Sequence, residues 1–306
     1  MPQRDYYRKR HSPWPRRILM ALLAAMMLYA AVQLIGYIME QQHTRALQEQ
    51  QRQALQTEAP TTIPTQAPTA TPDPEASGSS DAPATLVPTA TPQPTATLAP
   101  WLKPDMLATY QRLYSQNNDL VGWLNIDALY RVDFAVVQRD QSYYLRRDFY
   151  GERNMNGTAF MDMSCSIWPR DDNLIIYAHN MKSGEMFGEL HKLAEEEFYR
   201  AAPITWFDTL YEKGMYVPLA VILCTVQQGP EYFRFYERNF KSQQAFDDYV
   251  ARARALSKVD TPYDARYGDE LLTLVTCYDE ADTQRFVVVL RKVRAGENAD
   301  ALAQMW

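Results

Sequence analysis

The chain has 306 residues, enough for one or two domains, and a formal net charge of −6 that is unevenly distributed. Its three cysteines are too few for an extracellular disulfide framework. The sequence shows neither metal-ligand spacing nor a glycine-rich phosphate loop, so we expect no metal and no cofactor.

The N-terminus combines a basic tail with an apolar run. Six arginine and lysine side chains crowd residues 1–17, whereas residues 18–39 carry no charge. At about 1.5 Å per residue, this run is long enough to cross a bilayer core of about 30 Å. Because Glu40-Gln41-Gln42 does not resemble a signal-peptidase site, we favour an uncleaved anchor over a cleaved signal. Basic residues stay inside, so we expect a single-pass protein of the cell membrane with residues 1–17 cytoplasmic and the remainder extracellular. The position of the basic tail beside this run argues against binding to nucleic acid.

A long polar stretch follows the apolar run. Residues 40–58 are rich in glutamine and predict a juxtamembrane extension of the membrane helix. Residues 59–104 form a linker, in which residues 59–100 contain ten prolines, ten threonines and neither aromatic nor basic side chains. Such a composition cannot bury a core and predicts a disordered or polyproline-like stalk, which could reach on the order of 130 Å. We interpret it as a spacer between membrane and folded domain; the composition also permits O-glycosylation.

Residues 105–306 have the composition of a folded domain. Asp105 is placed to cap a helix, a second helical pattern covers about 185–200, and a third begins near Ser242. Short apolar runs typical of strands lie at 134–138, 157–161, 174–178, 203–209, 215–226, 270–277 and 285–293. Many short strands with few helices predict a mainly β domain, a closed or nearly closed barrel.

Two of these strands bring a thiol and a cation together. Cys277 ends one strand, and Arg285 begins the next. A buried, inert cysteine would be the more common interpretation of this pattern alone. His179 changes the balance, because it too ends an apolar run, whereas His191 falls on the solvated face of a helical pattern. Three reactive side chains at strand ends of one domain predict an active site in which Cys277, His179 and Arg285 are catalytic.

Other side chains near these strand ends have weaker assignments. Tyr177 and Thr276 are candidate substrate-binding residues, with ordinary packing as the alternative for each. The acidic side chains of residues 279–282 could orient Arg285, although a solvated loop is the simpler interpretation. Cys224 lies within an apolar run and is expected in the core. Cys165 has no evident role, and a Cys165–Cys224 disulfide is a minor alternative.

The motifs together resemble the sortase family, and class B in particular. The strand Thr273–Cys277, the arginine in the following strand and the position of His179 match the family pattern. Further similar segments cover much of residues 105–295, at residues 121–127, 132–138, 144–149, 157–162 and 186–190. The resemblance implies an eight-stranded sortase barrel with an N-terminal helix and one or two inserted helices.

The resemblance also implies a function. A sortase is a cysteine transpeptidase that cleaves the sorting signal of a secreted protein through a thioacyl-enzyme, and transfers that protein to an amine. The expected partners are proteins with sorting signals and an acceptor amine on a cell-wall peptide, its lipid-linked precursor or a pilin lysine. Two alternatives remain: a hydrolytic cysteine peptidase, and a catalytically silent surface-binding module on a stalk.

Overall fold

The computed structural model describes residues 14–56, 103–129, 131–201, 203–277 and 283–305. The first element, α1 (Trp14–Gln56), is one continuous helix. It is the single helix in the described residues that is long and apolar enough to cross a membrane. The side chains of residues 18–39 are exposed on all sides, as expected where lipid would surround them. The basic residues 1–13 and most of the Pro/Thr linker, residues 57–102, lie outside the described residues.

Eight strands close into a barrel, as predicted. Their order around the barrel is β1-β2-β3-β4-β7-β8-β6-β5. The two central pairings differ in direction, since β4 runs parallel to β7 whereas β7 and β8 are antiparallel. The strands are β1 (Leu120–Ile126), β2 (Asp133–Val137), β3 (Phe160–Met161), β4 (Asn173–Tyr177), β5 (Thr205–Thr209), β6 (Met215–Thr225), β7 (Leu271–Cys277) and β8 (Gln284–Lys292). The barrel interior is filled by apolar side chains from all of the longer strands.

The remaining helices lie outside the barrel. They are α2 (Ala108–Gln116), α3 (Glu196–Ala201), α4 (Gln243–Leu256) and α5 (Ala299–Ala303). As the pattern near Ser242 predicts, the Ser242 side chain caps α4 by accepting a hydrogen bond from the Ala245 amide. The helix also buries Phe246, Tyr249 and Val250 against the barrel.

Three local predictions are wrong. Asp105 does not cap α2: the cap position is Leu107, whose amide donates to the Leu210 carbonyl at 2.8 Å and attaches the helix start to the barrel. The pattern at 185–200 is not one helix, because Met186 has a φ of 56° and only a short 3-10 helix (Leu190–Ala194) and α3 follow. The run 157–161 forms a strand only at its end, since Gly157 has a φ of 63°.

The C-terminal part of α1 packs against the barrel. Gln41, Thr44 and Gln51 are buried, and Ala54 joins an apolar cluster with Tyr110 and Leu113 of α2. This docking was not expected from the sequence. It attaches the last residues before the Pro/Thr linker to the same surface as the helix that follows it.

Candidate active site

Strand pairing brings the three predicted catalytic residues to one end of the barrel. The Ala178 amide donates to the Val275 carbonyl at 3.3 Å, so the parallel pairing of β4 with β7 continues to the residue before His179. Cys277 and Arg285 are directly opposite each other in the antiparallel pair of β7 and β8. Opposed residues have β-carbons about 5 Å apart. The thiol and the guanidinium therefore start from neighbouring points of the sheet.

These side chains line one cleft of about 290 Å³. Cys277 is exposed at its surface, and His179 and Arg285 are half-buried. The walls are mainly apolar, which lowers the local dielectric around a reacting peptide bond. All five residues named from the sequence line the cleft, together with Gln141, Leu145, Phe160, Ala178 and Val275.

His179 is oriented by a backbone group. Its Nε2 lies 2.7 Å from the carbonyl oxygen of Leu145. A carbonyl oxygen can only accept, so Nε2 is the donor and carries a proton in this arrangement. The contact leaves Nδ1 as the ring nitrogen that can exchange a proton with another group. Sequence reasoning missed Leu145, although residues 144–149 were part of the resemblance, because a backbone acceptor has no side-chain signature.

Tyr177 forms the wall of the cleft rather than an ionised group within it. Its hydroxyl donates to Asp162 Oδ2 at 3.1 Å, and Gln141 Nε2 donates to the same oxygen at 2.7 Å. Burial, together with the charge of Asp162, raises the pKa of the Tyr177 phenol, so the ring stays neutral. Asp162, which is buried, thus fixes two residues that line the cleft.

Thr276 ties the two strand ends together. It is buried, and its Oγ1 donates to the Ala178 carbonyl at 2.7 Å. This bond crosses from the residue before Cys277 to the residue before His179. The side chain therefore contributes to the floor of the cleft and holds the two reactive residues in register.

The other two cysteines are not part of the cleft. Cys165 and Cys224 are buried and free, so the alternative of a disulfide between them is wrong. Burial raises the pKa of Cys165 to about 12 and that of Cys224 to about 11. Both remain protonated thiols at neutral pH, and neither is a nucleophile. The acidic residues proposed to orient Arg285 fall in 278–282, outside the described residues.

The Sortase domain family model matches residues 124–293, more than half of the chain. The chain belongs to the sortase family. Sortase B of Listeria monocytogenes is 31% identical over 188 residues, which cover 61% of this chain and 73% of that protein. Sortase B of Staphylococcus aureus is 24% identical over 186 residues, with 60% and 74% covered. These relatives agree with class B.

The solved structures agree with this membership. A Bacillus anthracis protein described as similar to sortase B is 29% identical and superimposes with a TM-score of 0.55, covering 62% of this chain and 84% of that one. Sortases are cysteine transpeptidases, and this chain is a sortase of class B type. The second of the two alternatives, a catalytically silent surface-binding module, is therefore set aside.

Proposed function

We propose that this sortase is anchored in the membrane by residues 18–39 and joins secreted proteins to an extracellular amine. Cys277 attacks a peptide bond in the C-terminal sorting signal, and the amine of a cell-wall peptide, its lipid-linked precursor or a pilin lysine completes the transfer. The observation that carries the proposal is the single cleft in which an exposed cysteine, a histidine and an arginine meet.

The first half-reaction cleaves the substrate. The Cys277 sulfur, as thiolate, adds to the carbonyl carbon of the scissile bond and gives a tetrahedral oxyanion. When the carbon–nitrogen bond breaks, protonated His179 gives its Nδ1 proton to the leaving amine. The products are a thioester on Cys277 and the free C-terminal fragment, and the histidine is left neutral.

The second half-reaction uses an amine in place of water. The acceptor nitrogen adds to the thioester carbon and its proton passes to neutral His179, after which the carbon–sulfur bond breaks. A new amide is formed, and the enzyme returns to the thiolate and imidazolium. In both steps, the Leu145 carbonyl accepts from Nε2 and leaves Nδ1 as the nitrogen that gives and takes the proton.

Arg285 supplies the fixed positive charge. A guanidinium stays protonated at all relevant pH values and presents several donors. From the position opposite Cys277, it is placed to hold the substrate backbone carbonyls or the oxyanion. Tyr177 and Thr276 are proposed to contact the substrate as part of the cleft wall and floor.

Product analysis tests this function against the hydrolytic alternative. A peptide library offered to the protein, with and without an amine acceptor, identifies the sorting motif and the fate of the acyl group. We expect the amine-linked product to dominate when an amine is present. Equal amounts of the carboxylate product under both conditions would support a hydrolytic cysteine peptidase. Comparing a wall-type peptide with a lysine-containing pilin peptide then separates wall anchoring from pilus assembly.

A further inference from the structure

The barrel contacts α1 from the first residue after the apolar run. The Glu40 side chain accepts a hydrogen bond from the Met155 backbone amide. The Gln41 side-chain Nε2 donates to Asn156 Oδ1 at 3.1 Å. The proposed membrane span ends one residue earlier, at residue 39. The loop around Met155 therefore lies at the level at which α1 leaves the apolar core of the bilayer.

Further contacts with the barrel follow towards the C-terminus of α1. Thr44 meets Asn154 and Asn156, and the Arg45 guanidinium contacts the buried Glu185 carboxylate at 2.7 Å. Ala54 reaches the apolar cluster shared with α2. At about 1.5 Å per residue, the distance along the axis from Glu40 to Ala54 is about 21 Å. The helix thus fixes the distance of the barrel from the bilayer, with the loop around Met155 near the bilayer and α2 farther away.

The loop that lies nearest to the end of the span carries a basic surface. Arg146, Arg147 and Arg153 are exposed in a chain whose net charge is negative, and all three line an open cleft of about 650 Å³. Arg146 Nη1 also contacts the sulfur of Met155, at 3.7 Å, and the Met155 side chain is itself exposed.

Four acidic side chains lie in the same region, of which Asp148 is buried and Glu40 accepts from the Met155 amide. The Asp140 carboxylate lines this cleft and already accepts from the Ser142 hydroxyl and amide and from the Tyr143 amide. Glu152 is exposed on the loop. Among the exposed side chains, three arginines face two acids, Asp140 and Glu152, and this surface favours anions.

We propose that the loop at residues 146–155 rests on the outer face of the membrane and that its three arginines bind the phosphates of anionic lipid headgroups. Arginine suits phosphate because its planar guanidinium group donates two parallel hydrogen bonds. Met155 adds an apolar side chain at the same level. This proposal rests on the membrane anchoring proposed above and is independent of the transpeptidation chemistry.

The proposal changes the role of the Pro/Thr linker. A spacer would hold the barrel away from the membrane, but the residues before and after the linker both attach to the barrel. The linker then connects two points on one folded unit, and α1 sets the distance of the active site from the bilayer. Leu145, which lines both the active-site cleft and the arginine cleft, places the reaction beside the membrane surface.

A distance measurement on the full chain tests the placement. In a Cys277→Ala background, where Cys165 and Cys224 are buried, Met155→Cys is labelled with a fluorophore, and the protein is reconstituted in vesicles carrying a headgroup quencher. The matched control is Gln111→Cys, exposed on α2 near the far end of the contact with α1. We expect severalfold stronger quenching at 155 than at 111. Equal and weak quenching at both positions in protein that withstands carbonate extraction would overturn the placement without affecting the anchor.

A second experiment tests the lipid ligand. A protease site is inserted in the Pro/Thr linker of the full chain, and the fraction of barrel that stays on vesicles after cleavage is measured. We expect greater retention with phosphatidylglycerol than with phosphatidylcholine alone. The double variant Arg146→Glu/Arg153→Glu should remove this difference, because each arginine contributes roughly fivefold to the affinity for anionic lipid. Arg266→Glu, which changes an exposed arginine elsewhere, should not remove it.

Three results would overturn the lipid assignment. Retention could be equal on both lipids, or the double variant could retain the barrel as well as Arg266→Glu does. Millimolar inorganic phosphate could also abolish the phosphatidylglycerol effect, which would assign the arginines to a soluble phosphate ligand.

Discussion

At the scale of single residues, the three cysteines differ by environment rather than by type. Cys277 lies at the open end of a strand, where a substrate can reach it, whereas Cys165 and Cys224 lie among apolar side chains. An apolar environment disfavours the thiolate, which raises the pKa of both buried thiols. Reactivity therefore follows from position in the barrel.

This contrast predicts selective alkylation. Iodoacetamide at neutral pH should modify Cys277 in the folded protein, and peptide mapping should find Cys165 and Cys224 modified only after unfolding. The pKa values of the buried thiols lie above that of an unfolded cysteine, near 8.5. The two residues therefore lower stability only as the pH rises from about 8.5 towards 11 or 12. Modification of either buried cysteine at the rate of Cys277 would contradict their assignment to the core.

His179 and Arg285 should each be essential to turnover. Loss of a general acid–base group costs about 10²–10⁴-fold, so His179→Ala should fall in that range, and Arg285→Ala should cause a loss of similar order. Steady-state turnover and circular dichroism are measured together, because both residues are half-buried and the barrel should remain folded. His191→Ala, an exposed histidine outside the cleft, is the matched control. A folded His179 or Arg285 variant with near-normal turnover would remove that residue from the mechanism.

At the scale of elements, the register between β4 and β7 sets the geometry of the site. Thr276→Val removes the hydrogen bond from the threonine hydroxyl to the Ala178 carbonyl, at a cost of about 0.5–1.5 kcal/mol. We expect faster amide hydrogen exchange at residues 178–179 and lower turnover. Thr276→Ser keeps the hydroxyl and should retain slow exchange and most of the activity. Unchanged exchange and turnover in Thr276→Val would show that the bond does not hold the two strand ends.

The elements also show what the sequence could predict. Strands β2, β4, β6, β7 and β8 could be predicted from the sequence, because short continuous runs of apolar and β-branched residues favour strands over helices. The positions of the three candidate catalytic residues could be predicted because Cys277 and His179 end such runs and Arg285 begins one. β1 did not stand out as a strand from its own pattern, although its residues were part of the resemblance.

Features that depend on tertiary contacts could not be predicted from the sequence. Asp105 had the right chemistry for a cap, but the contact between Leu107 and Leu210 decides where α2 begins. The docking of α1 depends on polar pairs more than a hundred residues apart, such as Gln41 with Asn156, which no local pattern reveals. The same holds for the Leu145 carbonyl beside His179.

At the scale of the whole molecule, charge and hydropathy divide the chain into a basic tail, an apolar span and an acidic remainder. This division predicts that the N-terminus stays inside and that the span is retained. Protease added to intact protoplasts should cut the chain outside and leave a small membrane fragment that carries an N-terminal epitope. A mature domain released into the medium, with its N-terminus near residue 40, would instead show a cleaved signal peptide.

At this scale, the barrel and α1 form one unit. The barrel brings Cys277, His179 and Arg285 together, and α1 attaches that barrel from the first residue beyond the span. In the proposed function, the secreted substrate and the wall precursor are both encountered at the outer face of the membrane. An active site held there by α1 would meet both reactants, and this is the physical basis of the proposed transfer.

The central claim is that Cys277 carries the acyl group between donor and acceptor. Mass spectrometry of the protein, quenched in acid during turnover of a cleaved library peptide, tests this most directly. The account predicts an acyl adduct on the peptide containing Cys277, which disappears when an amine is added and is absent from Cys277→Ala, whereas Cys165→Ala and Cys224→Ala retain it. Peptide transfer by Cys277→Ala, or an adduct on any other residue, would contradict it.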